Sequence, residues 1–256
     1  MPAELDALCG QGWALLPDVV PAATVARLIG ELERVYHDQR ALQVRNGVGG
    51  GTDGTVHHLP CAGGAFIEFL DSGYGQAVLD AFFAGPYILN TYGAVLNLPN
   101  DPSYVARVHR DQRTFSGAIR LMAQLLVMLD DFTEANGATF FLSGSHGLSE
   151  RPPDSRFFRD AVRAIGATGS IVVFDSNLWH AAGMNTTSLP RRALTLAFTR
   201  PFVKQQLDYP RALGYERAQT LSPRLRQLLG YNARVPASLD EWYQPPERRL
   251  YQRDQG

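Results

Sequence analysis

The chain has 256 residues, of which 45% are hydrophobic and 19% are charged, so it is long enough to bury a sizeable core and has the composition of a soluble globular protein. With 24 basic and 25 acidic residues the net charge is −1, which gives no electrostatic basis for binding nucleic acid or an anionic membrane. No apolar run reaches the ~18 residues of a membrane span, and Cys9 and Cys61 form neither a disulfide framework nor a CxxC pair. Because the first residues also lack the regions of a signal peptide, we expect a cytoplasmic protein.

The first predicted elements are a short strand and a long amphipathic helix. The strand is Trp13–Leu16, which Pro17 ends. After Pro21 the apolar residues recur at the i, i+3, i+4 spacing of a helix with one buried face, and they are Val25, Leu28, Ile29, Leu32, Val35 and Tyr36. The segment 46–60 begins with a glycine-rich run, which predicts a loop that is either a lid over a site or disordered.

Most of the remaining chain is predicted to form short strands. A second apolar helix is expected at about 75–83, and a last helix at about 217–229 lies in the C-terminal helix and tail, 216–256. The predicted strands between them are 87–98, 105–111, 119–129, 138–142, 169–174 and 194–199. Short strands separated by Gly, Pro, Asn and Asp favour a sandwich or barrel over alternating strands and helices. No repeat or linker divides the sequence, so we expect residues 1–256 to form a single, mainly β domain.

Three residues have the pattern of a metal site. His109 and Asp111 stand two apart on a predicted strand, so both project to the same side, about 7 Å apart along the backbone. An imidazole and a carboxylate placed this way can bind one cation, although a surface ion pair is the alternative. His180, after an apolar strand and a polar turn, supplies a third ligand. Two histidines and one aspartate form a facial triad, which leaves positions open on iron(II) for a chelating co-substrate and O₂.

Arg191 is a candidate for binding that co-substrate. It follows His180 by eleven residues, across a segment with the Gly, Asn, Ser and Pro of a turn. A hairpin of this length would place Arg191 on a strand next to His180, where a buried guanidinium can bind a carboxylate through two hydrogen bonds. Arg192 is then expected to point to the opposite face and to solvent.

Five other polar side chains are candidates to line the cavity, three near or on predicted strands and two beside the glycine-rich loop. They are Arg113, Gln124, Asn97, His57 and His58. Arg113 lies two residues after Asp111, so on a continued strand it would face the same side as the metal pair. Gln124 and Asn97 lie in apolar runs, where a buried amide needs a hydrogen-bond partner. The two histidines are candidates to approach the substrate, with a solvated loop histidine as the alternative.

Four segments together carry a family resemblance. They are GWALLPDVV, VHRDQ, LDDFTEANGATFFLSGSH and VVFDSNLWHAAGMNTTSLPRRAL. In order and spacing they resemble the phytanoyl-CoA dioxygenase family of iron(II)/2-oxoglutarate oxygenases over about residues 11–200. The resemblance implies a double-stranded β-helix, or jelly roll, with helices packed against one sheet. It also implies iron(II) bound by His109, Asp111 and His180, Arg191 on the distal carboxylate of 2-oxoglutarate, and O₂ as the other co-substrate.

Two positions refine what this resemblance implies. Family members often have a small hydroxyl residue two positions after the distal histidine, where this chain has Ala182. We expect Thr195 or another hydroxyl to take over its contact with the co-substrate. Halogenating members replace the carboxylate ligand by a small residue, and because Asp111 is present halogenation is not expected.

A narrower similarity concerns the substrate. VHRDQRTFSG and LVMLDDFTEANGATFFLSGSH are similar to oxygenases of sugar-antibiotic pathways, among them enzymes that close orthoester bridges in the orthosomycins. This similarity implies hydroxylation or oxidative cyclisation of a small molecule, with a sugar or oligosaccharide as the narrower expectation. Two alternatives stay open: a cupin-type metal enzyme that does not use 2-oxoglutarate, and a non-catalytic jelly-roll module that binds sugar.

Overall fold

Two antiparallel β-sheets form the centre of the protein, whose computed structural model describes residues 2–100 and 104–255. The strands are β1 (Trp13–Leu16), β2 (Thr55–Val56), β3 (Ile88–Asn97), β4 (Met122–Met128), β5 (Phe140–Phe141), β6 (Val162–Arg163), β7 (Ile171–Asp175), β8 (His180–Ala181) and β9 (Arg191–Thr199). The larger sheet has the order β1-β7-β4-β9-β3-β2 and the smaller sheet the order β6-β5-β8. Neighbouring strands in both sheets run antiparallel.

Helices precede, connect and follow these strands. The α-helices are α1 (Pro2–Gln11), α2 (Ala22–Arg45), α3 (Gly64–Ser72), α4 (Gln76–Phe83), α5 (Asp154–Asp160), α6 (Tyr209–Leu213), α7 (Pro223–Leu228) and α8 (Leu239–Trp242). Short 3₁₀ helices lie at Leu59–Ala62, Tyr104–Ala106, Ser145–Gly147, Tyr215–Gln219 and Pro246–Arg248. Within the described part of the chain, none of the helices has both the length and the hydropathy of a membrane span.

The outer face of the larger sheet is covered by helices. Leu125 and Val127 of β4 share a buried cluster with Leu28 and Leu32 of α2. Side chains alternate between the faces of a strand and repeat every three to four residues along a helix, so each element presents one apolar face to this layer. The predicted N-terminal strand and the amphipathic helix after it are confirmed.

The inner face of the larger sheet packs on the smaller sheet. Leu126 and Met128 of β4, Phe174 of β7 and Phe141 of β5 share a second buried cluster. Two facing antiparallel sheets with helices against one of them have the arrangement of a jelly roll. The predicted fold is therefore confirmed, and two members of this cluster, Leu126 and Phe174, also line the cavity described below.

The predicted strand 105–111 is wrong. The structure has a short 3₁₀ helix there, followed by a single bridge in which His109 pairs with His180 of β8. Beyond the bridge, the backbone N–H of Gln112 donates to the carbonyl of Ser176, so the segment leaves the sheet. Alternating apolar and polar residues indicate an extended segment, but they do not indicate how many of its hydrogen bonds reach a neighbouring strand.

Several helices differ from the expectation, and the physical reason is visible at two places. The predicted helix 217–229 is divided into a 3₁₀ helix and α7, because Pro223 has no backbone N–H to continue a helix and the hydroxyl of Ser222 caps a new one. The sequence patterns also give no indication of α3. The N–H of Ala65 in its first turn donates to the carboxylate of Glu31 on α2, a tertiary contact that satisfies the helix end.

The segment 46–60 folds back along α2. Arg40 donates to the carbonyl of Gly49, and the amide of Gln43 donates to the carbonyl of Thr55. The segment is therefore tied to the helix at two points and continues into β2, which pairs with β3 at the edge of the larger sheet.

We expect Gly137→Ala to destabilise the protein far more than Gly144→Ala. Both glycines have φ near +77°, at 77° and 78°, but a Cβ on Gly137 would overlap the carbonyl of Gly183 and the amide of Asn97, whereas the space around Gly144 is open. The left-handed backbone alone costs about 1 kcal/mol, and the overlap should add about 2 kcal/mol. Urea denaturation measures both losses, and equal losses would contradict the account of this turn.

Candidate active site

His109, Asp111 and His180 meet where the irregular segment crosses β8. Their candidate ligand atoms, one imidazole nitrogen from each histidine and one carboxylate oxygen, all lie within 4.8 Å of one another. The carboxylate of Asp111 is 3.7 Å from Nε2 of His109 and 3.6 Å from Nε2 of His180. Atoms that each bind one metal at about 2.1 Å lie about 3–4 Å apart. The three side chains can therefore share one cation.

The bridge between the two histidines positions both imidazoles. His109 N–H donates to the carbonyl of His180 at 2.9 Å, and His180 N–H donates back at 2.8 Å. The ring centroids lie 4.2 Å apart as a result. β8 itself pairs with β5, so the smaller sheet carries the second histidine directly and the first through the bridge.

Both histidines have the tautomer that a metal ligand needs. Nδ1 of His109 lies 2.7 Å from the carbonyl of Arg107, and Nδ1 of His180 lies 2.9 Å from the carbonyl of Leu178. Because a carbonyl oxygen only accepts, Nδ1 carries a proton in each ring, which leaves Nε2 as the nitrogen that can bind a metal. Burial, together with the neighbouring His109, lowers the pKa of His180 to about 4, so this ring is neutral at pH 7.

Aromatic rings surround the buried histidine. Phe174 and Phe141 lie 5.0 Å and 5.8 Å from the ring of His180, measured between centroids. Trp179 is on the opposite side of the strand, in a buried cluster with Leu142, as alternation predicts. His180 therefore has an aromatic neighbour from each sheet, Phe174 of β7 and Phe141 of β5.

Arg191 lies across the cavity from His180 and not on a neighbouring strand. It begins β9, which pairs with β3 and β4 of the larger sheet, whereas β8 belongs to the smaller sheet. The expected hairpin is wrong because residues 182–190 cross between the sheets, where the side chain of Asn185 donates to the carbonyls of Asn97 and Leu189. Both Arg191 and His180 nevertheless line the same cavity.

The guanidinium of Arg191 is buried, and no anion among the described residues pairs with it. Its side chain packs 3.9 Å from the ring centre of Phe132, and the residue is 3% exposed. Nε and Nη1 have no hydrogen-bond partner among the described residues. Burial lowers the pKa of Arg191 to about 10, although Asp130 opposes the shift, so the side chain remains charged at pH 7. A buried cation with unused donors calls for an anion, and its donors suit a carboxylate.

Asp130 pairs with the next arginine instead. Its carboxylate accepts from Nε and Nη2 of Arg192 at 3.0 Å and 2.7 Å and from the backbone N–H of Arg192 at 2.7 Å. Arg192 does point away from the cavity, but it is held by this pair and is not free in solvent. Alternation along β9 separates a paired arginine on one face from an unpaired arginine on the other.

The cavity between the sheets has a volume of about 260 Å³. In addition to the metal candidates and Arg191, it is lined by three residues named from sequence, Gln124, Thr195 and His57. Ala182, which stands where a hydroxyl residue was expected, also lines it.

Three residues named from sequence lie outside the cavity lining. Asn97 is buried, but its amide donates to the carbonyls of Asn136 and Gly183 and so supports the adjoining turns. Arg113 is exposed, because the chain turns away after the bridge and parity with the metal pair is lost. The side chain of His58 bonds to the hydroxyl of Tyr209.

Four polar lining residues were not predicted from the sequence. Thr55, Thr91 and Gln206 line the cavity from β2, from β3 and from the loop after β9, and Thr139 lines it from the residue before β5. The alternation of side chains along β3 indicates Thr91, because Gly93 and Val95, two and four residues further along the strand, also line the cavity. Gln206 lies in an irregular segment, where no periodic signal exists.

Comparison with known proteins identifies the family of the chain. The sequence model of the phytanoyl-CoA dioxygenase (PhyH) family matches residues 8–193. The chain is 36% identical to uncharacterized protein Rv1501 of Mycobacterium tuberculosis, with 98% of this chain and 94% of that protein covered. It is 33% identical to the iron/alpha-ketoglutarate-dependent dioxygenase ausU of Aspergillus calidoustus, over 45% of this chain and 39% of ausU.

A solved structure supports the fold. The non-heme alpha ketoglutarate dependent epimerase SnoN, from nogalamycin biosynthesis, superposes with a TM-score of 0.60. The match covers 77% of this chain and 80% of SnoN, at 17% identity. At 17% identity this likeness shows a shared fold, which is the arrangement of the two sheets and their helices.

Arg191→Met and Arg192→Met should change stability in opposite directions. Replacing the unpaired, buried Arg191 removes a desolvated charge and should raise the free energy of unfolding by about 1 kcal/mol. Arg192→Met breaks the pair with Asp130 and should lower it by about 1–2 kcal/mol. Urea denaturation of the metal-free protein tests both, and a comparable loss in the two variants would contradict the assignment of Arg191 as unpaired.

Proposed function

Because the chain belongs to the phytanoyl-CoA dioxygenase (PhyH) family, which makes it a non-haem iron, 2-oxoglutarate-dependent dioxygenase, we propose that His109, Asp111 and His180 hold its iron(II). The fit of these residues supports the proposal: two imidazoles point Nε2 to one place and a carboxylate faces both nitrogens. Two nitrogens and one carboxylate oxygen are the donor set of a facial triad, which leaves positions open for a co-substrate and O₂.

We propose that Arg191 binds the distal carboxylate of 2-oxoglutarate. The observation that carries this assignment is the pair of buried guanidinium nitrogens without a partner among the described residues. A carboxylate would accept charge-assisted hydrogen bonds from both nitrogens, in a site from which water is largely removed. Thr195 and Gln124 line the same cavity from β9 and β4 and supply a hydroxyl and an amide for the remaining oxygens. Since Asn97 uses its amide within the protein, we leave it out of this set.

When bound, iron(II) and 2-oxoglutarate supply the oxidising chemistry: O₂ oxidises the C–H bond of a substrate while 2-oxoglutarate becomes succinate and CO₂. The residues of the chain supply positions. The carbonyls of Arg107 and Leu178 fix the two imidazoles, and the bridge fixes their separation. Arg191 orients the co-substrate from the opposite sheet, and Phe174 helps exclude water.

The substrate proposed is a small molecule of secondary metabolism. The family and the part that SnoN plays in nogalamycin biosynthesis support this class. Binding pockets usually have volumes of about 300–1,000 Å³. Since about 260 Å³ must also take the co-substrate, only one ring or chain segment of the substrate enters. We propose a sugar or oligosaccharide, oxidised by hydroxylation or by a cyclisation such as orthoester closure, on the strength of the sequence runs similar to sugar-antibiotic oxygenases.

Residues 1–256 act as one catalytic domain in this proposal, with segment 46–60 closing one side of the cavity. Thr55, Val56 and His57 of that segment line the cavity, and α2 supports it. The two other readings of the sequence leave features without a purpose. A metal enzyme that does not use 2-oxoglutarate does not require the unpaired Arg191, and a sugar-binding module does not require the three converging ligands.

Succinate formation from 2-oxoglutarate tests the proposal. Without the primary substrate we expect slow, uncoupled turnover that depends on iron(II) in the wild-type enzyme. Arg191→Met should raise the 2-oxoglutarate concentration for half-maximal turnover about 100-fold, because loss of a charge-assisted, two-point contact costs about 3 kcal/mol. The neighbouring Arg192→Met is the control and should stay near the wild-type value. Equal 2-oxoglutarate dependence in both variants, or no succinate from folded wild-type enzyme, would contradict the proposal.

A further inference from the structure

The charged side chains of the cavity are all committed to iron and 2-oxoglutarate in the proposed function, on which this inference rests. They are Asp111 and Arg191, and the two metal-site histidines are likewise committed to iron. The other described lining residues include neither a lysine nor a further arginine. The polar groups that remain are neutral, among them Thr55, His57, Thr91 and Gln206. Such a surface provides hydrogen bonds but no cation for an anionic substrate.

His57 is held unusually firmly for a residue outside a regular element. Its backbone N–H donates to Oε1 of Gln39 at 2.9 Å, and its carbonyl accepts from Nε2 of the same side chain at 2.6 Å. One amide of α2 thus satisfies both backbone groups of His57, as a neighbouring strand would. The end of β2 is fixed to α2 at the residue whose side chain lines the cavity.

The next residue turns the chain sharply. His58 has φ 55° and ψ 46°, a left-handed conformation that costs a non-glycine residue about 1–2 kcal/mol. Its Nδ1 lies 3.1 Å from the hydroxyl of Tyr209, a fully buried residue of α6. This contact offsets the cost of the turn. At the turn the chain leaves the cavity and enters the 3₁₀ helix Leu59–Ala62.

A neutral imidazole suits a hydroxyl group. His57 is exposed on its solvent side, and partial desolvation at the cavity wall lowers its pKa, so the ring is uncharged at pH 7 and has one donor and one acceptor nitrogen. A hydroxyl group also donates and accepts. A phosphate or carboxylate only accepts, and an uncharged ring binds it weakly.

We propose that His57 hydrogen-bonds a hydroxyl group of a neutral, polyhydroxylated substrate, and that Gln39 and Tyr209 are positioning residues that hold His57 at the cavity. The group that enters the cavity is therefore the ring of a neutral sugar or similar polyol, and not the apolar chain of an acyl-CoA thioester, which offers no hydrogen-bond partner to these neutral polar side chains. Gln206, from the loop after β9, lines the same cavity and offers a second neutral contact.

Saturation-transfer NMR with sucrose, trehalose and palmitoyl-CoA tests this class on enzyme loaded anaerobically with iron(II) and 2-oxoglutarate. We expect at least one of the two sugars to bind and palmitoyl-CoA not to bind. His57→Phe should weaken sugar binding about tenfold, the value of one neutral hydrogen bond, and His57→Gln should restore most of it. Gln39→Leu should weaken it similarly. His37→Phe, an exposed histidine on α2, is the matched control and should have no effect.

The visible absorbance of the iron–2-oxoglutarate complex, recorded on the same samples, separates a specific role from a structural one. The 2-oxoglutarate affinity should be the same in wild type, His57→Phe and Gln39→Leu. Equal sugar binding by wild type and His57→Phe, binding of palmitoyl-CoA, or binding of none of the three probes, each with normal absorbance, would overturn this inference alone. Absence of the absorbance band from wild type would contradict the proposed function and this inference with it.

Discussion

Two backbone hydrogen bonds between His109 and His180 determine the rest of the site. They attach an irregular segment to the smaller sheet at a single point and bring two imidazoles to a centroid separation of 4.2 Å. Each ring then donates its Nδ1 proton to the carbonyl two residues before it. Asp111, two residues beyond the bridge, faces both Nε2 atoms. The ligand geometry is thus set by the backbone before any metal binds, which is how a preorganised site limits the cost of binding.

The opposite sheet contributes the second constraint. Arg191 is buried and charged and has no partner within residues 2–100 and 104–255, while its neighbour Arg192 on the other face of β9 pairs with Asp130. A protein selected only for stability would not keep such a cation, because burying it without a partner costs free energy. The cost is consistent with a role in binding an anion, and local rules of folding are most often broken at functional sites. Residues fixed to α2, above all His57, close the same cavity with neutral groups.

Local pattern predicted much of the fold. Periodicity identified β1, α2, α4 and the long strands β3, β4 and β9, and the order of motifs indicated the jelly roll. The three metal candidates were predictable because spacing and family resemblance agreed. The predictions that were wrong concern contacts between distant parts of the chain. The number of hydrogen bonds that segment 105–111 makes with β8, the crossover before Arg191 and the cap that Glu31 gives α3 all depend on distant parts of the chain. Arg113 was expected on the face of the metal pair, but it is exposed because the segment leaves the sheet after the bridge.

The convergence of the three ligands on one iron is tested most directly by anaerobic titration with iron(II) and 2-oxoglutarate, monitored through the weak visible charge-transfer band of the complex. We predict that the wild-type protein and His37→Ala develop the band with one equivalent of iron. Asp111→Ala and His180→Ala, folded by circular dichroism, should not develop it. A flat spectrum from folded wild-type protein, or an unchanged band in both ligand variants, would contradict the account.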